Sequence, residues 1–127
     1  MKKWVLIGLY VVLFTLLGAC EGVVEKYQNY TGEGEYWTAE VLLEDEKDRQ
    51  ERSVSFYYQG NNLQFKHFNY KVDSPMFMIA GENKRLNGRG FFSEGGFRSN
   101  TISHPNQLIV TIQFGDEEEE IILKPEK

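Results

Sequence analysis

Trp37, Ala39, Val41 and Leu43 fall on every second position of one stretch, with Thr38, Glu40 and Glu44 on the opposite phase. The same period of two returns at Val54, Phe56 and Tyr58, and again at Leu108, Val110, Ile112 and Phe114. Successive side chains of a strand point to opposite faces, so each run predicts a strand with one buried face. Nothing beyond residue 20 repeats at a helical period. The spacing therefore predicts an all-β domain.

Turn chemistry divides the rest. Glu44 to Arg52 reads as a charged connection, and Gly60-Asn61-Asn62 as a turn that tolerates positive φ. Between Leu63 and Val72 the apolar phase slips by one residue, which predicts a strand with a bulge. Asp73-Ser74-Pro75 breaks the pattern before a strand from Met76 to Ala80 that continues towards Arg85. Asn87-Gly88 is a hairpin signal, and Phe91, Phe92 and Phe97 lie on a return strand with a kink at Gly95-Gly96. Gly115-Asp116 turns the cleanest strand back into Glu120 to Lys124, which carries Ile121 and Leu123. Seven short strands over residues 35–127 predict an immunoglobulin-like β-sandwich. A small barrel is the alternative packing.

The N-terminus sets location. Lys2 and Lys3 precede an apolar run from Trp4 to Leu17, followed by Leu17-Gly18-Ala19-Cys20. A basic head, an apolar middle and small residues at the end make a secretory signal. The run falls short of the roughly 20 residues that a membrane-spanning helix takes. Leu17, Gly18, Ala19 and Cys20 resemble the lipobox of bacterial lipoproteins, and Cys20 is the only cysteine of the chain. The resemblance implies that lipoprotein-processing enzymes attach diacylglycerol to the Cys20 thiol. They would then remove residues 1–19, recognising Leu17, Gly18 and Ala19. The mature chain would be held on the extracytoplasmic face of the cell membrane by that lipid. Loss of Lys2 and Lys3 leaves 14 − 2 = 12 basic against 19 acidic side chains, a net charge of −7. Glu21 to Gly34 is polar and lacks a period, so residues 20–34 read as the lipidated end and a flexible tether.

Gly32-Glu33-Gly34-Glu35-Tyr36-Trp37 follows about a dozen residues after the lipobox. It resembles the Gly-Glu-Ser-Glu-Asn-Trp stretch of small, largely uncharacterised lipoproteins of Bacillus-type Gram-positive bacteria. The shared layout is lipobox, short tether, this motif opening a strand, a charged loop, further strands and a terminal hairpin ending in Lys. The chain departs from the motif at Gly34 and Tyr36. The resemblance implies location and a β fold, and brings no activity with it.

Composition narrows the chemistry. A net charge of −5 over the whole chain argues against nucleic acid, whose phosphates call for a basic surface. Asn29-Tyr30-Thr31 matches a glycosylation pattern that bacterial export makes accidental. Cys20 is taken by lipid and no Gly-x-Ser-x-Gly elbow exists, so no catalytic residue is expected. His67 and His104 are the only imidazoles, too few for a zinc cluster of the usual kind. Glu44–Asp48 lacks the spacing of a calcium loop, and Asp116–Glu120 reads as charge guarding an edge strand. No metal and no cofactor are expected. Glu33 and Glu35 read as a solvated strand entrance, and Trp37 as a core anchor. Gly88-Arg89-Gly90 and Gly95-Gly96-Phe97-Arg98 read as hairpin residues and not as an RNA-binding tract.

The expected role is a non-enzymatic protein-binding module of the cell envelope, with an envelope protein as partner. Its contact surface is expected in the loops 81–89 and 99–107. The alternative is a module that binds a small ligand or an ion for a transporter or sensor, with a pocket lined by Tyr57, Phe68 and Tyr70.

Overall fold

A computed structural model describes residues 26–61 and 65–126. Leu17, Gly18, Ala19 and Cys20 lie outside the described residues. Among the described residues the eight elements are all antiparallel strands: β1 (Lys26–Glu33), β2 (Trp37–Asp45), β3 (Gln50–Tyr58), β4 (Phe68–Asp73), β5 (Met78–Lys84), β6 (Phe91–Ser99), β7 (Leu108–Phe114) and β8 (Glu117–Pro125). They form one sheet in the order β5-β4-β7-β8-β1-β2-β3-β6.

The all-β class is as expected, but this single sheet does not confirm an immunoglobulin-like sandwich and comes nearer the small barrel held as the alternative. Two four-stranded halves, β6-β3-β2-β1 and β8-β7-β4-β5, are joined where Tyr30 pairs with Pro125 and Thr31 with Lys124. The sheet curls until β5 and β6 are its two remaining edges, nearly closed and barrel-like. Strand closure is one way in which a small β domain limits its exposed edges.

The eighth strand is β1, inside the stretch expected to be tether. Its inward positions Gln28, Tyr30 and Gly32 carry one large apolar side chain between them, so alternation is not visible there. Gly32 is required by proximity: a Cβ would stand 2.5 Å from the Ile122 carbonyl oxygen. The strand is fixed by pairing with β2 from Lys26↔Asp45 to Glu33↔Thr38.

Trp37, Ala39, Val41, Leu43, Val54, Phe56, Leu108, Val110 and Ile112 are buried completely, as their spacing predicts. Rings interlock across the two halves. Phe56 of β3 stands 4.9 Å from Tyr70 of β4, and Trp37 of β2 stands 5.1 Å from Phe68 of β4. Removing such side chains from water is the main favourable term, at about 1.5–3 kcal/mol each.

Several local expectations shift. The phase slip between Phe65 and Phe68 is a loop, not a bulge: β4 begins at Phe68, and Phe65 packs on the core from outside a strand. The turn at Asn87 exists, with Gly90 N donating to Asn87 O at 3.0 Å, but it is no hairpin. β5 pairs with β4, and β6 pairs with β3. The Gly95-Gly96 kink is present, since Gly96 has φ +84° and the β3–β6 register shifts between Arg52 and Val54. β8 is not an edge strand, because it lies between β7 and β1.

The register fixes two ends. The mouth carries the β1–β2 and β7–β8 turns, Tyr58 and the segment 84–91. The base carries the β2–β3 and β4–β5 turns, the loop 99–107 and the start of β1.

Candidate binding site at the mouth

Tyr36, Tyr58, Phe65 and Phe114 wall a cavity of about 620 Å3, with Asn61, Asp116 and Glu117 at its rim. Strand ends deliver these residues: Tyr58 closes β3, Phe114 closes β7 and Glu117 opens β8. Tyr36 arrives from the β1–β2 turn. The rings meet edge to face, Tyr58 and Phe65 at 5.0 Å, Phe65 and Phe114 at 5.5 Å, Tyr36 and Phe114 at 5.7 Å. Trp37 forms the layer beneath, 5.1 Å from Tyr58 and 5.5 Å from Phe114. Its Nε1 is buried and has no hydrogen-bond partner among the described residues.

Glu119 holds the turn in place. Its inward carboxylate accepts hydrogen bonds from Tyr36 N at 2.9 Å and Trp37 N at 3.1 Å. Gly34 allows this, because a Cβ there would collide with Glu119 Oε1. Glu119 is thus a structural cap and not the solvent-facing guard that its acidic run suggested.

The cavity rim is acidic. The Tyr36 hydroxyl is pushed above its ordinary range by Glu35 first, then by Glu117, burial, Tyr58 and Glu119. Among the described residues, no basic side chain lines the cavity. Aromatic walls with carboxylates at the rim suit a cationic group, since ring faces and acids both attract positive charge.

The base holds a buried polar network that the charged sequence around it conceals. Asp45, Gln50 and Arg52 point inward and are buried, as is Ser103. Gln50 Nε2 donates to Asp45 Oδ1 at 2.8 Å and to Ser103 O at 2.9 Å. Arg52 Nε donates to Gln50 Oε1 at 2.9 Å, Arg52 Nη2 donates to Thr101 O at 3.1 Å, and the guanidinium lies 4.0 Å above the Phe77 ring. Burial lowers the Arg52 pKa. His104 Nε2 lies 2.6 Å from Asp45 Oδ2, and the Tyr30 hydroxyl donates to Pro105 O at 2.6 Å. Burial first, then Asp45, raises the Tyr30 pKa. Together these contacts pin the loop 99–107 across the base.

A histidine on a carboxylate is two-thirds of a hydrolytic triad, but among the described residues no serine hydroxyl is hydrogen-bonded to His104. Ser74 Oγ, which lines the groove beside His104, accepts from Phe77 N at 3.0 Å and donates to Phe77 O at 3.1 Å. Among the described residues, no three His, Cys, Asp or Glu side chains converge on a metal site.

The two imidazoles lie at opposite ends: His67 accepts from Arg85 Nε at 3.0 Å near the mouth, whereas His104 is at the base. The loops 81–89 and 99–107 are likewise divided between the ends, so they do not make one contact surface. Phe68 and Tyr70 are buried in the core and Tyr57 faces out, so those three do not line a pocket. Sequence reasoning missed Tyr36, Phe65 and Phe114 as site residues, because each reads as an ordinary core position.

Compared with known proteins, the chain matches no family model, no curated protein and no solved structure.

Proposed function

We propose that the protein is a non-enzymatic binding module, held on the extracytoplasmic face of a bacterial cell membrane by lipid on Cys20, which takes a cationic group into the mouth. The lipobox residues Leu17, Gly18, Ala19 and Cys20 support the anchor. The observation that carries the binding role is the aromatic-walled cavity with Asp116 and Glu117 at its rim. The cation is an ammonium or guanidinium group, borne by a small molecule or by a Lys or Arg side chain of an envelope protein. Each cation–aromatic contact is worth about 0.5–2 kcal/mol, so several are needed for useful affinity.

Trp37 is the only tryptophan once residues 1–19 are removed, and it lies directly under the cavity. Its fluorescence therefore reports on the site. Titration with tetramethylammonium and with N-acetyl-arginine amide is expected to give a saturable change, lost when Asp116→Asn is combined with Glu117→Gln. In cells, a photo-cross-linker at position 116 distinguishes a small ligand from an envelope protein. Absence of a saturable signal, with no recurrent cross-linked protein, would overturn the reading.

A further inference from the structure

Tyr57 and Phe91 towards the mouth are 48% and 40% exposed, and the most exposed apolar side chains lie at the other end. Met76 and Met78 are 63% and 64% exposed, Ile102 43% and Tyr27 70%, and all four belong to the base. Met76 and Met78 flank Phe77, and Ile102 follows Thr101. Arg52 ties these two segments together, stacking on Phe77 and donating to the Thr101 carbonyl. The three aliphatic side chains therefore stand on neighbouring segments of one end. Beside them runs a mainly apolar groove of about 580 Å3, bordered by Pro75, Met76, Pro105 and Ile109.

β1 also starts at this end, since Lys26 pairs with Asp45 at the β2–β3 turn. Five residues, 21–25, separate Cys20 from Lys26. Fully extended, that length of chain spans about 20 Å. A nine-residue strand such as β2 is about 30 Å long. A lipid on Cys20 thus keeps the base close to the bilayer and leaves the mouth beyond the reach of the tether.

Charge is mixed at both ends. Glu33, Glu35, Asp116, Glu117 and Glu118 share the mouth with Lys84, Arg85 and Arg89, while Lys26, Lys47, Arg49 and Arg98 share the base with Glu44, Glu46, Asp48, Glu51 and Asp73. Charges separated from the surface by more than about 8 Å are largely screened at physiological salt. The acids of the mouth therefore do not set the orientation.

We infer that the base is a membrane-contact surface: Met76, Met78 and Ile102 rest in the headgroup region of the bilayer that holds Cys20, and the mouth points outwards. This rests on the anchor reading above. The short tether supplies proximity, and the apolar side chains enter the interface as those of a surface-lying amphipathic element do.

The test uses protein extracted from membranes, with the Cys20 lipid verified by intact mass, in vesicles of phosphatidylethanolamine and phosphatidylglycerol. Because Cys20 is capped by thioether, Met76→Cys, Ile102→Cys and Asp116→Cys each give one free thiol for an environment-sensitive dye. Doxyl-labelled lipid is expected to quench the dye at positions 76 and 102 at least about threefold more than at 116. Circular dichroism of each variant checks that the fold is retained. Equal quenching at all three positions on verified lipoprotein would overturn the orientation and leave the anchor standing. A mass without lipid would overturn both.

Discussion

Glu94 of β6 accepts the Tyr70 hydroxyl of β4 at 2.8 Å. The same carboxylate pairs with Lys84 of β5 at 2.9 Å. β5 and β6 are the unpaired edges of the sheet, so one side chain spans the seam that backbone pairing leaves open. Burial alone would raise the Glu94 pKa, but the bonds from Lys84 and Tyr70 outweigh it and hold the carboxyl below its usual range. Tyr70 is driven upward by burial, then by its bond to Glu94.

Glu94→Gln is expected to cost about 1 kcal/mol at neutral pH, a typical value for one partly buried charged contact. A folded pKa below the unfolded one means that the stabilisation is complete above the unfolded value of about 4.3. It is lost as pH falls through the folded value. Urea midpoints of wild type and variant should therefore converge on acidification, and a gap that persists at pH 3 would refute the assignment.

Gly34→Ala should drive the Glu119 carboxylate off the Tyr36 and Trp37 amides, leaving buried donors unpaired at a cost of about 1–3 kcal/mol. Glu119→Ala should cost a similar amount. The double variant should be little worse than either single one, because both remove the same contact. Additive losses in denaturant would show that Gly34 acts otherwise.

Asp45→Ala removes the acceptor shared by Gln50 and His104 and is expected to lose about 2 kcal/mol. Asp45→Asn keeps an oxygen for Gln50 and should lose less. The local consequence is release of the loop 99–107, seen as faster proteolysis there with little change elsewhere. Cleavage spread evenly along the chain would argue for a global effect alone.

Phe56→Ala is expected to cost about 3–5 kcal/mol, since Phe56 is wholly buried among Phe68, Tyr70 and Phe92. Thermal unfolding measures this directly. A loss below 1 kcal/mol would mean that the two halves do not meet at this ring.

Alternation in the sequence by itself determined the β class and the inward faces of β2, β3, β7 and β8. Side-chain period and burial are the same fact in a half-buried strand, so Trp37, Val41, Phe56 and Val110 were legible as core. Gly95-Gly96 and Gly115-Asp116 were legible for a similar reason, because local backbone demands act within a few residues. What only the tertiary structure decided lies where partners are distant in sequence. β1 is a strand because β2 pairs with it, although Gln28 and Gly32 hide its inward phase. Asn87-Gly88 forms a turn without a hairpin, because β6 finds β3 and not β5. Asp45, Gln50 and Arg52 look solvated in their charged stretch, yet they are buried, and Gln50 and Arg52 donate to carbonyls of a loop about 50 residues away. The mouth shares that cause: Tyr36 and Phe65 are far along the chain from Phe114, Asp116 and Glu117, and only the folded sheet brings them together.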